Sequence, residues 1–215
     1  MLVLALDTAL SACSVALVEG GQTLVSRVEP MARGQAERLA PMVNQVMVGA
    51  GLSFKSLDRI AVTRGPGAFT GLRIGLAFAR GLALALDKPC VGLSTLEVLA
   101  AAAGQPRIIA AIDLAGSFFV GAWEGRRPVM EPCATQLDDV LVALDGPWAV
   151  TGPGAAIILA ERPDWLHIDQ NLPDPVTLAH LAAHCDPADY PPTPLYLRGV
   201  NAKIQGDRPA SDRRT

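Results

Sequence analysis

Aromatic residues make up only 5% of this chain and charged residues 18%, below the quarter usual for a soluble domain. So sparse a charge leaves part of the surface to be covered by something other than water. Nor is there a basic excess, since 18 Lys and Arg stand against 21 Asp and Glu, for a formal net charge of −3. That argues against a protein that grips nucleic acid unaided, because neutralising phosphates needs a basic face. No apolar run is clean enough to cross a bilayer: the longest, Gly71 to Leu86, is broken by Arg73 and Arg80. Met1 to Asp7 lacks a cationic lead and sets a carboxylate where a signal peptide would stay apolar, so a cytoplasmic location is expected. Cys13, Cys90, Cys133 and Cys185 show no C-x-x-C spacing and read as buried thiols in a reducing compartment.

What is present is apolar material, 50% of the residues, enough to offset the chain entropy lost in building one or two compact domains. Alternation and apolar runs predict strands near Leu2–Asp7, Cys13–Glu19 and Thr23–Glu29, the last two joined by a Gly20-Gly21 hairpin. A helix follows with Leu39, Met42, Val43, Val46 and Met47 on one side, then a strand at Arg59–Thr63 and a Gly/Ala/Leu-rich helix from about Phe69 to Leu86. A short strand ending at Leu93 leads into Ser94-Thr95-Leu96-Glu97, which reads as a capping box opening another helix. The order is βββαβαβα.

Past a soft link at Ala100 to Pro106 the same order returns. Strands are expected near Arg107–Asp113, Phe118–Glu124 and Pro128–Cys133, a helix near Leu137–Leu144 and a strand at Trp148–Thr151. A helix after Gly154, a strand near Trp165–Ile168 and a helix over Val176–His184 complete the copy. Leu4-Ala5-Leu6-Asp7 has its counterpart in Ala110-Ala111-Ile112-Asp113, and Ala61-Val62-Thr63-Arg64-Gly65-Pro66-Gly67-Ala68 in Ala149-Val150-Thr151-Gly152-Pro153-Gly154-Ala155. Two such coincidences in one order indicate a duplication. From the Asp to the Gly-Pro-Gly runs 58 residues in the first copy and 39 in the second, so the second is reduced. The expected division is 1–103, 107–198 and a polar tail over 199–215. In that tail Lys203, Arg208, Arg213 and Arg214 outnumber Asp207 and Asp212, which fits a frayed end with an RNA contact as a secondary role. A duplicated α/β unit with an Asp leaving each first strand is the actin, Hsp70 and sugar-kinase architecture, in which ATP sits between the halves.

Fold alone does not license that chemistry. Hairpins that cradle phosphate need glycine or very small residues at the turn, and Thr8-Ala9-Leu10-Ser11-Ala12 has no glycine. Asp7 either orients a metal-bound water, as in a kinase, or closes its hairpin by accepting nearby amides. Gly65 and Gly67 flank Pro66 in a strand-to-helix turn able to hold an anion, yet G-x-x-x-x-G-K-[ST] is absent. Asp7, Thr8, Gly65 and Gly67 are therefore read as a vestigial nucleotide or anion loop. The helix beyond is apolar nearly all round, which predicts burial on most sides, with Gly71 and Gly75 admitting another helix. His180 and His184 share a helix face beside Cys185 but lack further ligands, and no H-E-x-x-H or G-x-S-x-G occurs. No catalytic residue and no metal site is assigned.

Met1 to Ala9, Ala12 to Leu17, Arg64-Gly65-Pro66-Gly67-Ala68-Phe69-Thr70-Gly71-Leu72-Arg73-Ile74-Gly75, Gly92 to Leu96 and Pro194-Leu195-Tyr196-Leu197-Arg198 resemble the bacterial TsaB (YeaZ) family over nearly the whole chain. The resemblance implies a non-catalytic subunit of the machinery that makes N6-threonylcarbamoyladenosine at position 37 of tRNA. It implies docking, through helices of the first half, onto the catalytic paralogue TsaD, with the ATPase TsaE joining and tRNA met through the complex. TsaD holds its metal with an H-x-E-G-H type motif; here that region reads Arg33-Gly34-Gln35-Ala36-Glu37-Arg38-Leu39-Ala40-Pro41, without either histidine. Many TsaB sequences keep one at the position of Gln35. Nucleotide and metal are thus expected only in the partners or at their interfaces. The expected partner face comprises Arg33, Glu37, Leu39, Met42, Val43, Arg73, Leu76 and Arg80, and it would pair with its own copy when TsaD is absent. The rival reading is an ATP-dependent phosphotransferase with Asp7 as its catalytic carboxylate.

Overall fold

Leu2, Leu4 and Leu6 point to one side of the first strand and Val3 and Ala5 to the other, and all five are buried. A strand buried on both sides belongs to the middle of a layered α/β structure. The computed structural model describes residues 1–197 and bears this out. Arg198 and the tail expected over 199–215 lie outside the described residues.

The first sheet is built from β1 (Leu2–Asp7), β2 (Ala12–Glu19), β3 (Gln22–Pro30), β4 (Arg59–Thr63) and β5 (Cys90–Leu93), in the order β3-β2-β1-β4-β5. β2 runs antiparallel to β1 and β3, while β4 runs parallel to β1 and β5. The second sheet contains β6 (Arg107–Leu114), β7 (Ser117–Glu124), β8 (Arg127–Ala134), β9 (Ala149–Thr151) and β10 (Leu166–Ile168), in the order β8-β7-β6-β9-β10. It repeats the first strand for strand, directions included. The chain is a duplicated βββαβαβα fold of the actin-like class with a reduced second half.

Among the described residues six α-helices cover these sheets: α1 (Gln35–Gly49), α2 (Phe69–Leu86), α3 (Thr95–Ala103), α4 (Leu137–Ala143), α5 (Ala155–Glu161) and α6 (Pro175–Ala183). α1 and α2 lie on the Leu2/Leu4/Leu6 side of the first sheet. α4 and α5 cover the matching side of the second sheet, where Val140 and Ile158 meet Ile109 and Ala111. The remaining two helices cross over. Leu178, Ala179 and Ala182 of α6 pack on Val3, Ala5 and Ala61 of the first sheet. Leu96, Leu99 and Ala100 of α3 pack on Ile108, Ala110 and Ile112 of the second. Arg59 at the start of β4 secures the crossing, donating to the carbonyls of Ala182 and of Cys185, the latter at 2.7 Å. Each sequence half therefore completes the core of the other.

Local details follow their residues. Asp174 caps α6 by accepting from the Thr177 amide at 2.8 Å and the Thr177 hydroxyl at 2.6 Å. The box expected at Ser94 is half formed: the Ser94 side chain makes no cap bond, and its hydroxyl is buried without a partner. α2 is long and apolar enough to cross a membrane by length and composition. Here it is a covering helix, with Leu76, Ala79 and Ala83 in the core against β4 and α1. Burial on most sides is not what it shows. Its opposite face is open, because only one sheet lies beneath it. All four cysteines are free, and burial pushes the Cys13 and Cys90 thiols up to about 11 and about 12, which keeps them protonated and inert.

Candidate functional site

Two places deserve comparison with the sequence: the corner where β1 ends and the outer face of α1 and α2. At the corner, parallel pairing sets Leu6 beside Val62, so Asp7 and Thr63 end their strands as neighbours. The Thr63 hydroxyl donates to Asp7 Oδ1, and the Ala9 amide donates to the same oxygen at 3.1 Å. Oδ2 is buried and has no partner. Burial raises the carboxyl from 3.8 to about 6 despite the two hydrogen bonds. This is a carboxylate enclosed by its own hairpin.

α2 does the enclosing. The Ala68 amide donates to the Ala9 carbonyl at 2.7 Å, and the Thr8 hydroxyl donates to the Gly71 carbonyl at 2.7 Å. A Cβ at Gly67 would stand 2.5 Å from the Ala9 oxygen, one at Gly71 would overlap the Thr8 carbonyl, and one at Gly75 would stand 2.6 Å from Thr8 Oγ1. The glycines expected to admit another helix instead admit the chain's own β1–β2 turn, since the helix start must lie directly on that backbone. The Gly65-Pro66-Gly67 turn is taken up in the same way: the Gly65 carbonyl accepts from the Thr95 amide at 2.9 Å, and the Arg64 carbonyl accepts from the Leu195 amide at 2.8 Å. Asp7, Thr8, Gly65 and Gly67 do come together, as structure rather than as an open anion cradle.

Between the two β-hairpin turns lies a hydrophobic cluster. Leu10, Leu72, Leu114, Phe119 and Leu197 pack with Leu96, Leu99 and Ile112. Such side chains offer phosphate no donors. Nor is there a group of three or more His, Cys, Asp or Glu able to hold a metal ion among the described residues. His180 and His184 are exposed on α6. Gln35 is buried and its side-chain amide donates to the Met31 carbonyl at 3.2 Å.

The predicted partner face divides in two. Leu39, Met42, Val43 and Leu76 are 3% exposed or less and belong to the core beneath α1 and α2. They are corrected to core residues, because an amphipathic helix turns its large apolar stripe to its own sheet. Arg33, Glu37, Arg73 and Arg80 are exposed, and the Arg73 guanidinium sits 3.8 Å over the Phe69 ring. Sequence reading missed the surface between them. Ala36, Ala40, Asn44 and Val48 of α1 and Ala77, Gly81 and Leu84 of α2 face solvent, Leu84 at 85%. Their spacing, three or four residues apart, marks one face of each helix; the alanines, the glycine and Asn44 among them hid it from a hydrophobicity pattern.

A model of the TsaD family, tRNA N6-adenosine threonylcarbamoyltransferase, matches residues 28–139. The tRNA threonylcarbamoyladenosine biosynthesis protein TsaB of Escherichia coli strain K12 is 37% identical over 169 residues, 72% of each chain. YeaZ from Pseudomonas aeruginosa superposes with a TM-score of 0.79 at 32% identity, covering 91% of this chain and 99% of that one. A second structure from that organism, of an uncharacterised protein with similarity to peptidase YEAZ, gives 0.80 at 34%, covering 92% and 99%. With the enclosed Asp7 corner and the duplicated sheets, these likenesses lead to one conclusion: the chain belongs to the TsaB (YeaZ) family of tRNA threonylcarbamoyladenosine biosynthesis proteins.

Proposed function

We propose that this chain is a non-catalytic subunit of the threonylcarbamoyladenosine machinery and that the outer face of α1 and α2 docks on the catalytic paralogue TsaD. One observation carries the reading. α1 and α2 have 15 and 18 residues, against seven each for α4 and α5, which cover an equivalent sheet. By helical rise that is about 22 and 27 Å against about 10 Å. Covering a five-stranded sheet does not require the extra length, and the extra length carries the small-residue face. Small side chains let a second pair of helices approach closely, and burial of that face supplies the apolar area an obligate interface uses. TsaE and tRNA join through the assembly, and nucleotide and metal reside in the partners or at their junctions. Without TsaD, the same face pairs with a second copy.

The phosphotransferase reading asks Asp7 to be ionised and open to Mg-ATP, whereas Asp7 is fully buried and its Oδ1 is taken up by the Thr63 hydroxyl and the Ala9 amide. Two titrations test the proposal. TsaD should bind the chain saturably, and Mg-ATP alone should give no heat. Saturable Mg-ATP binding by the isolated chain, reduced by Asp7→Asn, would favour the kinase instead.

A further inference from the structure

A cavity of about 650 Å³ opens between α3, α6 and the β7–β8 turn. That is the size of a small-molecule site, and none of its lining residues belongs to the proposed docking face. Its floor is apolar, formed by Ala100 of α3, Ile108 of β6, Trp123 of β7 and Leu181 of α6. Its two ends differ in charge. At one end is Glu97, beside Cys185 and Tyr190; burial raises its carboxyl, and Arg64 opposes that rise only in part. Tyr190 lines the same end and is itself raised chiefly by the charge of Glu97. At the other end are Gln105 and Arg126, held together because the Gly125 amide donates to the Pro106 carbonyl at 2.7 Å. Arg126 is exposed at the rim. His180 and His184 stand along the α6 wall.

Glu97 and Gly104 begin and end this wall of α3, and seven residues of helix separate them by about 10 Å. A free amino acid is too short to satisfy both ends. Three extended residues, at about 3.4 Å each, match the span. We propose that this cavity binds a short zwitterionic peptide of about three residues, its ammonium at Glu97 and Tyr190, its carboxylate at Arg126, and an apolar side chain on Ile108 and Trp123. The placement uses nothing from the TsaD docking face, so its test is independent of that reading.

The experiment follows the full chain by NMR during titration with Ala-Leu-Ala, its N-acetylated form and its C-terminal amide. The free tripeptide should shift resonances of Trp123 and α6 saturably at millimolar concentration. Each capped form should bind about tenfold more weakly or worse, since each leaves one charged partner unmet. Glu97→Gln should abolish the discrimination against acetylation, and Arg126→Ala that against amidation, each with its melting temperature checked. Arg126 is exposed and Glu97→Gln nearly isosteric, so both variants fold. Equal binding of the three peptides, shifts mapping elsewhere, no saturable response, or preference for a nucleoside monophosphate at the same residues would each overturn the proposal.

Discussion

The two copies of the repeated unit solve one structural problem in different ways. Asp7 and Asp113 occupy equivalent ends of β1 and β6, yet Asp7 is fully buried and Asp113 is exposed. In both copies an amide at the helix start fastens it to the first strand's end: Ala68 to Ala9 in the turn past β1 at 2.7 Å, and Gly154 to Ala111 within β6 at 2.9 Å. Beyond that fastening, α2 runs for 18 residues and α5 for seven. The fold therefore needs the turn and its glycines in both halves, but long outer helices in only one. What the first copy has in excess is surface, and that surface is where a partner is expected.

The largest effect expected from perturbing this asymmetry is at Leu39. Leu39→Glu buries an unpaired charge in the core under α1 and should cost more than about 4 kcal/mol, read as loss of the cooperative unfolding transition. A well-folded variant would return Leu39 to the surface and undo the core assignment. Next are the glycines: Gly71→Ala forces a methyl onto the Thr8 carbonyl and should destabilise by about 1–3 kcal/mol in denaturant melts. Gly154→Ala, whose Cβ would stand 2.9 Å from the Asp113 amide, should cost less. Reversal of that order would show the second corner to be the tighter one.

Asp7 adds a pH signature. Its folded pKa lies above the unfolded value, so its stabilising contribution is complete below about 4 and is lost as pH rises through about 6. Asp7→Asn should therefore gain on the parent chain by up to about 3 kcal/mol between pH 4 and pH 7. A flat difference across that range would mean that the carboxyl is solvated. The smallest effect belongs to the exposed counterpart, where Asp113→Asn should move stability by no more than about 0.5 kcal/mol.

Most of the fold could be read from the residues, because strand alternation and the repeated Asp and Gly-Pro-Gly marks are local signals. The order of elements along the chain and the shortened second copy follow from them. The crossing of α3 and α6 could not be read, since it depends on which sheet each helix meets after the chain has turned back, and both helices are apolar enough for either. The outer face escapes the sequence pattern for a related reason. Leu39, Met42, Val43 and Leu76 announce themselves as apolar, but large apolar residues on a covering helix belong beneath it, while a docking face of alanine and glycine leaves little trace in a hydrophobicity pattern. The enclosure of Asp7 was open in the sequence as one of two alternatives. What decided it was contact over more than 50 residues, from Thr63 and Gly71, which no local motif records.

Leu84 on α2 and Val142 on α4 are 85% and 87% exposed, one on each outer layer, and both can be changed to glutamate without entering a core. The decisive measurement is the affinity of Leu84→Glu and of Val142→Glu for TsaD, by calorimetry, with melting temperatures recorded alongside. Leu84→Glu should weaken binding about thirtyfold or more, about 2 kcal/mol, at unchanged melting temperature, while Val142→Glu binds as the parent does. Equal affinity of the two variants, or loss only with Val142→Glu, would contradict the assignment of the docking surface to the first copy.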